Sequence, residues 1–303
     1  MDRHSFVGLY AALLTPLHEN RSLNVPVAQR LMVHLLRRGL DGVYVAGTTG
    51  EGMRLSLETR RELVEGLTAA LPPDKQLLVH VGTPEVRDAI QLAEHAATTG
   101  AHAVSSLPPA GNAQTVHRYY QELAAHSPLP VILYHFPKIA PHAFQKPADL
   151  FAVCDLPNVL GVKFTDFHLQ LLQQLVKRGK LVFNGYDEVL AAGLLMGAQG
   201  GIGTTYNLLA EPYVAIARAA ESGNWELARI LQSEINDVLE ILFRYPFFPA
   251  VREAVRHLGF DCGPMMSGDD FVSSASRAAF LADMDRNLPP RIAEMMGWSV
   301  QHV

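Results

Sequence analysis

Eight short apolar runs, each followed by a segment with helical spacing, constrain the fold of this chain more than any other feature. The runs lie at residues 7–14, 42–47, 77–82, 103–107, 131–137, 161–166, 181–185 and 200–205. Between them the spacing predicts helices over 25–38, 56–69, 85–98, 114–126 and 147–154, then from about His168, through Met196, and around 211–221. In the first of these, Val27, Leu31, Leu35 and Leu36 share one face and Gly39 marks the stop. Runs that are apolar throughout, rather than alternating, read as strands buried on both faces, as in parallel sheets covered by helices.

Eight such units fit a closed (β/α)8 TIM barrel, a fold of about 250 residues. A doubly wound open sheet is the competing architecture. Eight parallel strands are many for it, and the first run ends in Leu13-Leu14-Thr15-Pro16 with no glycine-rich phosphate loop. Beyond Gly223 the alternation stops, and helical spacing continues alone over 224–243, 250–258 and 271–281. The expected organisation is a barrel over 1–223 and a C-terminal helical extension over 224–303, too short to stand alone and packed on the barrel.

Composition removes several classes of function. A formal charge of −5, with no block of basic residues, argues against a nucleic-acid partner. Cys154 and Cys262 make neither a disulfide framework nor a C-x-x-C pair. Met1-Asp2-Arg3-His4-Ser5 lacks the apolar stretch of a signal peptide, and no run approaches the length of a membrane span. The expectation is a cytoplasmic enzyme with no membrane partner.

Lys163 stands out because it sits inside the strand-like run Gly161-Val162-Lys163-Phe164-Thr165-Asp166. Burying an unpaired ammonium is costly, and a buried amine that has lost its proton is a nucleophile toward carbonyls. The plain alternative is a lysine at a sheet edge that snorkels to water. At the carboxyl ends of the other runs stand further polar residues. Thr48-Thr49-Gly50-Glu51 presents two hydroxyls beside backbone N–H groups, as a carboxylate nest or as a helix cap. Tyr134 reads as an acid/base phenol or as a packed ring. Asp187 and Glu188 read as polyol ligands or first-turn acids of a helix, and Thr204 and Thr205 close the eighth run. No metal-ligand pattern appears; His80 reads as a core histidine, and His135 should point away from Tyr134 by strand alternation. In a barrel these ends meet at one face, bringing Lys163 beside Tyr134 and opposite Thr48 and Thr49. An amine, a phenol and a carboxylate nest suit an aldolase for 2-oxo acids, with no metal or organic cofactor.

The landmarks Ala11-Ala12-Leu13-Leu14-Thr15-Pro16, Gly47-Thr48-Thr49-Gly50-Glu51, Tyr134 with Pro137, Gly161-Val162-Lys163 and Gly201-Ile202-Gly203 carry a resemblance. The chain resembles the N-acetylneuraminate lyase and dihydrodipicolinate synthase family of class I pyruvate-dependent aldolases over nearly its full length. That resemblance implies a Schiff-base lysine at Lys163, a proton-shuttling tyrosine at Tyr134, carboxylate binding at Thr48 and Thr49, and a homotetramer built as a dimer of dimers. Asn184-Gly185-Tyr186-Asp187-Glu188 and Gly203-Thr204-Thr205-Tyr206-Asn207 are similar to the sialic acid lyase branch. For this branch the resemblance implies substrate contacts at Gly185, Asp187, Glu188, Gly203 and Thr204, with Thr165 near the reacting carbons. The synthase branch has an arginine two residues after the proline, where this chain has Lys138-Ile139. The chain also has Ala110-Gly111-Asn112 after Pro109, where many relatives carry an aromatic residue of the proton relay. The implied reaction is cleavage of N-acetylneuraminate to N-acetylmannosamine and pyruvate. The alternatives are another 2-keto-3-deoxy sugar acid, such as 2-keto-3-deoxygluconate, and a barrel that binds a sugar acid without turning it over.

Overall fold

The computed structural model describes residues 3–271 and 273–299. Met1, Asp2 and Val272, which fall within segments read from sequence above, lie outside the described residues, as do residues 300–303. Eight parallel strands, β1 (Gly8–Ala12), β2 (Gly42–Val45), β3 (Gln76–His80), β4 (Ala103–Ser106), β5 (Val131–His135), β6 (Val159–Phe164), β7 (Leu181–Asn184) and β8 (Gly200–Gly203), close into a barrel. The expected (β/α)8 architecture is the observed one. Closure runs through Gly8↔Gly200 and Leu9↔Gly201, where the bare glycines allow close approach. A Cβ on Gly200 would stand 1.8 Å from the Gly8 carbonyl oxygen.

The connecting helices are α1 (Val25–Arg37), α2 (Leu57–Ala70), α3 (Val86–Thr99), α4 (Ala113–His126), α5 (Pro147–Cys154), α6 (Leu169–Lys177), α7 (Leu190–Leu195) and α8 (Tyr206–Glu221). Their apolar faces pack on outward residues such as Val43, Val79, Val162 and Phe164. A second, smaller core fills the barrel lumen with Tyr10, Tyr44, Leu78, Ile132, Phe183 and Ile202, the layered filling usual for this fold. Helix α8 begins at Tyr206, five residues before the predicted start. Leu209 has non-helical angles (φ −115°, ψ 35°), and a short turn ahead of this kink joins the helix that contains Pro212.

Four further helices follow: α9 (Trp225–Phe243), α10 (Phe247–His257), α11 (Ser274–Asn287) and α12 (Pro290–Met296). They pack on the barrel mainly through α8, and they also reach its mouth. Gln232 on α9 donates to the Asp187 carbonyl and accepts from the Ala191 N–H, while Asn236 donates to the Glu188 carbonyl. The helical extension thus holds the backbone of the segment after β7. Among the described residues no helix is long and apolar enough to cross a membrane.

Candidate active site

Strand pairing puts Tyr134 directly opposite Lys163, and Lys163 opposite Phe183. Inward alternation on β6 then sends the lysine side chain into the lumen, where it is 4% exposed. Its Nζ lies over two aromatic faces, 4.1 Å from the Tyr134 ring centroid and 4.5 Å from that of Tyr44. The two rings meet edge to face at 86°. Tyr44 was not singled out from the sequence, because Gly42-Val43-Tyr44-Val45 is apolar throughout and gives no sign of which side faces in. It is fully buried; burial, reinforced by the Tyr134 phenol, pushes its own phenol well above the usual tyrosine range. Its hydroxyl bonds Ser105 Oγ at 3.3 Å.

The barrel mouth at the carboxyl ends of the strands holds a cavity of about 610 Å³. Thr48, Thr49, Tyr134, Lys163, Thr165, Gly185, Asp187, Glu188 and Thr204 all line it. Thr48 Oγ1 and Thr165 Oγ1 are buried and have no hydrogen-bond partner among the described residues, the mark of groups that await a polar ligand. Thr49 is differently engaged, its hydroxyl 2.7 Å from that of Thr204. Gly185 leaves room for Thr165, since a Cβ there would meet Thr165 Oγ1 at 2.1 Å. Gly203, expected to touch substrate, does not line the cavity; a Cβ on it would stand 1.9 Å from Asp187 Oδ1. Its part is to let that carboxylate approach β8.

Asp187 is buried against this approach. Its Oδ2 accepts from the Thr205 N–H and the Thr205 hydroxyl, both at 2.7 Å, and Tyr213 OH lies 2.8 Å from the same hydroxyl. Burial outweighs these bonds and raises the carboxyl to about 6. Glu188 is also pushed up by burial, with Lys138 acting in the opposite sense. His80 sits in the core, Nε2 accepting from Leu107 N–H at 3.0 Å, and burial with the nearby Arg60 charge holds it well below the usual imidazole range. His135 points out of the lumen, stacked on Phe164 and 3.3 Å from Asp166 Oδ2.

The loop that carries Thr48 and Thr49 is sterically tight. Ala46 (φ 55°) and Glu51 (φ 52°) are left-handed, and a Cβ on Gly52 would lie 1.7 Å from the Ala46 carbonyl oxygen. Glu51 anchors the loop by accepting from the Met266 and Ser267 N–H groups, both at 2.9 Å. Gly52→Ala is therefore expected to destabilise the fold by about 3 kcal/mol. Calorimetry should show Tm lower by about 5 °C.

The cavity also has walls that local sequence does not announce. Phe136 extends the Tyr134 face, and Leu239, Phe243, Phe247 and Phe248 come from α9 and α10. The segment Ala110-Gly111-Asn112 contributes no lining side chain. Among the described residues no cluster of three or more His, Cys, Asp or Glu side chains could hold a metal ion.

A primary amine held against a phenol in the mouth of a parallel barrel is equipment suited to an aldolase, and the class that fold and site define is the carbon–carbon lyase. The model of the dihydrodipicolinate synthetase family matches residues 5–268, and the chain belongs to that family. An N-acetylneuraminate lyase from Rhizobium meliloti (strain 1021) is 36% identical over 297 residues, covering 96% of each chain. One from Enterobacter sp. (strain 638) is 32% identical, covering 83% of this chain and 86% of its own. Among solved structures, Proteus mirabilis N-acetylneuraminate lyase superposes with a TM-score of 0.86 at 27% identity, covering 94% of this chain and 99% of its own.

Proposed function

We propose that the protein cleaves N-acetylneuraminate to N-acetylmannosamine and pyruvate through a Schiff base on Lys163. The observation that carries this reading is the buried amine, 4.1 Å above Tyr134, sharing a cavity with the unpartnered hydroxyls of Thr48 and Thr165. The curated relatives that carry this activity by name support the choice of substrate. Thr48 and Thr49 hold the carboxylate of the open-chain acid, which sets its C2 ketone beside Nζ. The neutral amine adds to C2, and loss of water leaves an iminium that withdraws electrons from C3. Tyr134, alone or with the substrate carboxylate, takes the C4 hydroxyl proton as the C3–C4 bond breaks. The aldehyde half departs, the enamine is protonated at C3, and hydrolysis releases pyruvate and the lysine. Thr165 lies by the reacting carbons, while Asp187, Glu188 and Thr204 receive hydroxyls of the sugar tail.

The test is pyruvate release from a panel of 2-keto-3-deoxy sugar acids. N-acetylneuraminate should lead 2-keto-3-deoxygluconate in kcat/KM; the reverse order would replace the substrate and keep the mechanism. Ligand binding without turnover, and without a borohydride-stable adduct, would leave a sugar-acid-binding barrel instead. Tyr134→Phe should lower kcat by about 10²-fold or more with pyruvate adduct formation largely kept.

Tyr44 gives a finer check. The iminium is a cation, and a desolvated cation over an aromatic face gains about 2 kcal/mol. Tyr44→Leu should therefore slow single-turnover trapping by about 30-fold, whereas Tyr44→Phe, which keeps the face, should stay much nearer wild type. Equal losses in the two variants would rule out the ring face as the cause.

For the molecule as a whole we propose a division at residue 223, a homotetramer assembled as a dimer of dimers, and a cytoplasmic location. The last is supported by Cys154 and Cys262, both buried and unbonded.

A further inference from the structure

The segment between α10 and α11 runs past the carboxyl end of β1 and is fastened there by one side chain. Arg252 on α10 is buried, and its guanidinium donates to the carbonyls of Thr15 (3.3 Å), Cys262, Gly263 (3.2 Å) and Pro264 (2.9 Å). The adjacent Glu253 carboxylate turns instead to Arg256 and Arg277. A rigid fork of N–H donors met by carbonyls from two chain segments fixes those segments relative to each other. Leu17 N–H donates to the Cys262 carbonyl at 2.9 Å and closes the same seam. Within the segment, Asp261 accepts from Gly263 N–H and Asp270 from Met265 N–H.

Both sides of this seam lead to Thr48 and Thr49. The Thr15 hydroxyl donates to the Gly50 carbonyl at 2.7 Å. From the other side, Glu51 takes the Met266 and Ser267 N–H groups. The result is a closed circuit, from Arg252 through Thr15 to Gly50 and from Arg252 through Pro264 and Ser267 to Glu51. Thr49 adjoins Gly50 in the chain, so any shift of the seam passes to the two threonines. Fastening the helical extension to the barrel would not need these ties, because α9 and α12 already pack on α8.

We propose that Arg252 is a positioning residue for carboxylate binding, holding Thr48 and Thr49, through the 261–268 segment, where both meet the carboxylate of a 2-oxo acid. The proposal rests on the Schiff-base reading above and deepens it. It gives α10 a part in the reaction without contact with the reacting atoms. Misplacing a binding group by about 1 Å can cost on the order of 10²-fold, and loosening the circuit without opening it should cost about tenfold.

The experiment compares borohydride trapping of pyruvate with trapping of methyl pyruvate, its neutral ester, in wild type and Arg252→Lys. Lysine keeps the charge and loses the fork. The concentration that half-saturates trapping should rise about tenfold for pyruvate and stay near wild type for the ester. With N-acetylneuraminate, KM should rise more than kcat falls. A merely structural role would move both ketones alike, and that result, or no shift at all, overturns the proposal. Thr15→Val cuts only the bond to Gly50 and should shift pyruvate alone in the same direction. Should Arg252→Lys fail to fold, Thr15→Val decides, and an unmoved pyruvate value there overturns the proposal. Arg277→Gln removes an exposed partner of Glu253 at the same corner. It should lower Tm with pyruvate trapping unchanged; a tenfold shift there would also overturn the proposal. Two wild-type results reject the underlying reading, and the proposal with it. No adduct with either ketone rejects the Schiff base, whereas adduct without tighter saturation by pyruvate rejects the nest at Thr48 and Thr49.

Discussion

Lys163→Ala is expected to lower turnover by on the order of 10⁴-fold or more, equivalent to about 5.5 kcal/mol at the barrier. The covalent route exists only while an amine stands at that point of the lumen, and among the described residues no other lysine lies over the rings of Tyr44 and Tyr134. The same substitution should leave the fold intact. Lys163 is 4% exposed and no carboxylate pairs with it among the described residues, so its removal relieves a buried polar group as well as opening space. Melting temperature should be unchanged or slightly higher while activity is lost, the signature of a residue kept for chemistry at some cost in stability. Mass spectrometry after borohydride treatment with pyruvate should show a lactyl-sized addition in wild type only. Full turnover by the alanine protein would sink the mechanism.

The residues that were legible in the sequence are those whose meaning is local. A lysine in an apolar run, a Thr-Thr-Gly-Glu turn and a tyrosine at a strand end each announce themselves, and the barrel brings them together through its eightfold repeat alone. Tyr44 did not, because strands buried on both faces lack the alternation that tells lumen from outer layer. Gln232 and Asn236 were illegible for another reason. They hold the turn after β7 from more than 40 positions further along the chain, a contact set by how α9 packs on α8. The aromatic wall from Phe243 to Phe248 depends on the same packing. Helix α12 is punctuated in the sequence but too short to read from it. Pro290 in its first turn and Gly297 in the left-handed conformation after its end are the usual punctuation of a helix, but seven residues give too little periodicity to notice. Asp187 reads from the sequence as a polyol ligand or a first-turn acid; its bonds to Thr205 are not legible there, because they arise from the neighbouring ends of β7 and β8.

That double position makes Asp187 the second test of large effect. Its carboxyl is raised from 3.8 to about 6 by burial, so the folded protein holds the proton more tightly than the unfolded chain. The stability this confers is fully present below pH 3.8, falls between pH 3.8 and 6, and is gone above. The group alone accounts for a loss of about 3 kcal/mol across that window. Asp187→Asn should remove the dependence, because an amide oxygen can accept both Thr205 bonds without carrying charge. The stability difference between the asparagine protein and wild type, followed by denaturant unfolding, should therefore grow in favour of asparagine from pH 4 to 6 and stay level to pH 8. Asp187→Ala should lose the same pH dependence but lower stability at every pH. It strands the buried Thr205 N–H, an unmet group costing about 1–3 kcal/mol, leaves the Thr205 hydroxyl with Tyr213 alone, and loosens the turn that presents Glu188. For cleavage of the sugar acid, alanine should lower kcat/KM by about 10²-fold, asparagine by about tenfold or less. Equal losses in the two proteins would mean that the negative charge itself acts on the substrate, and that the brace to Thr205 is secondary.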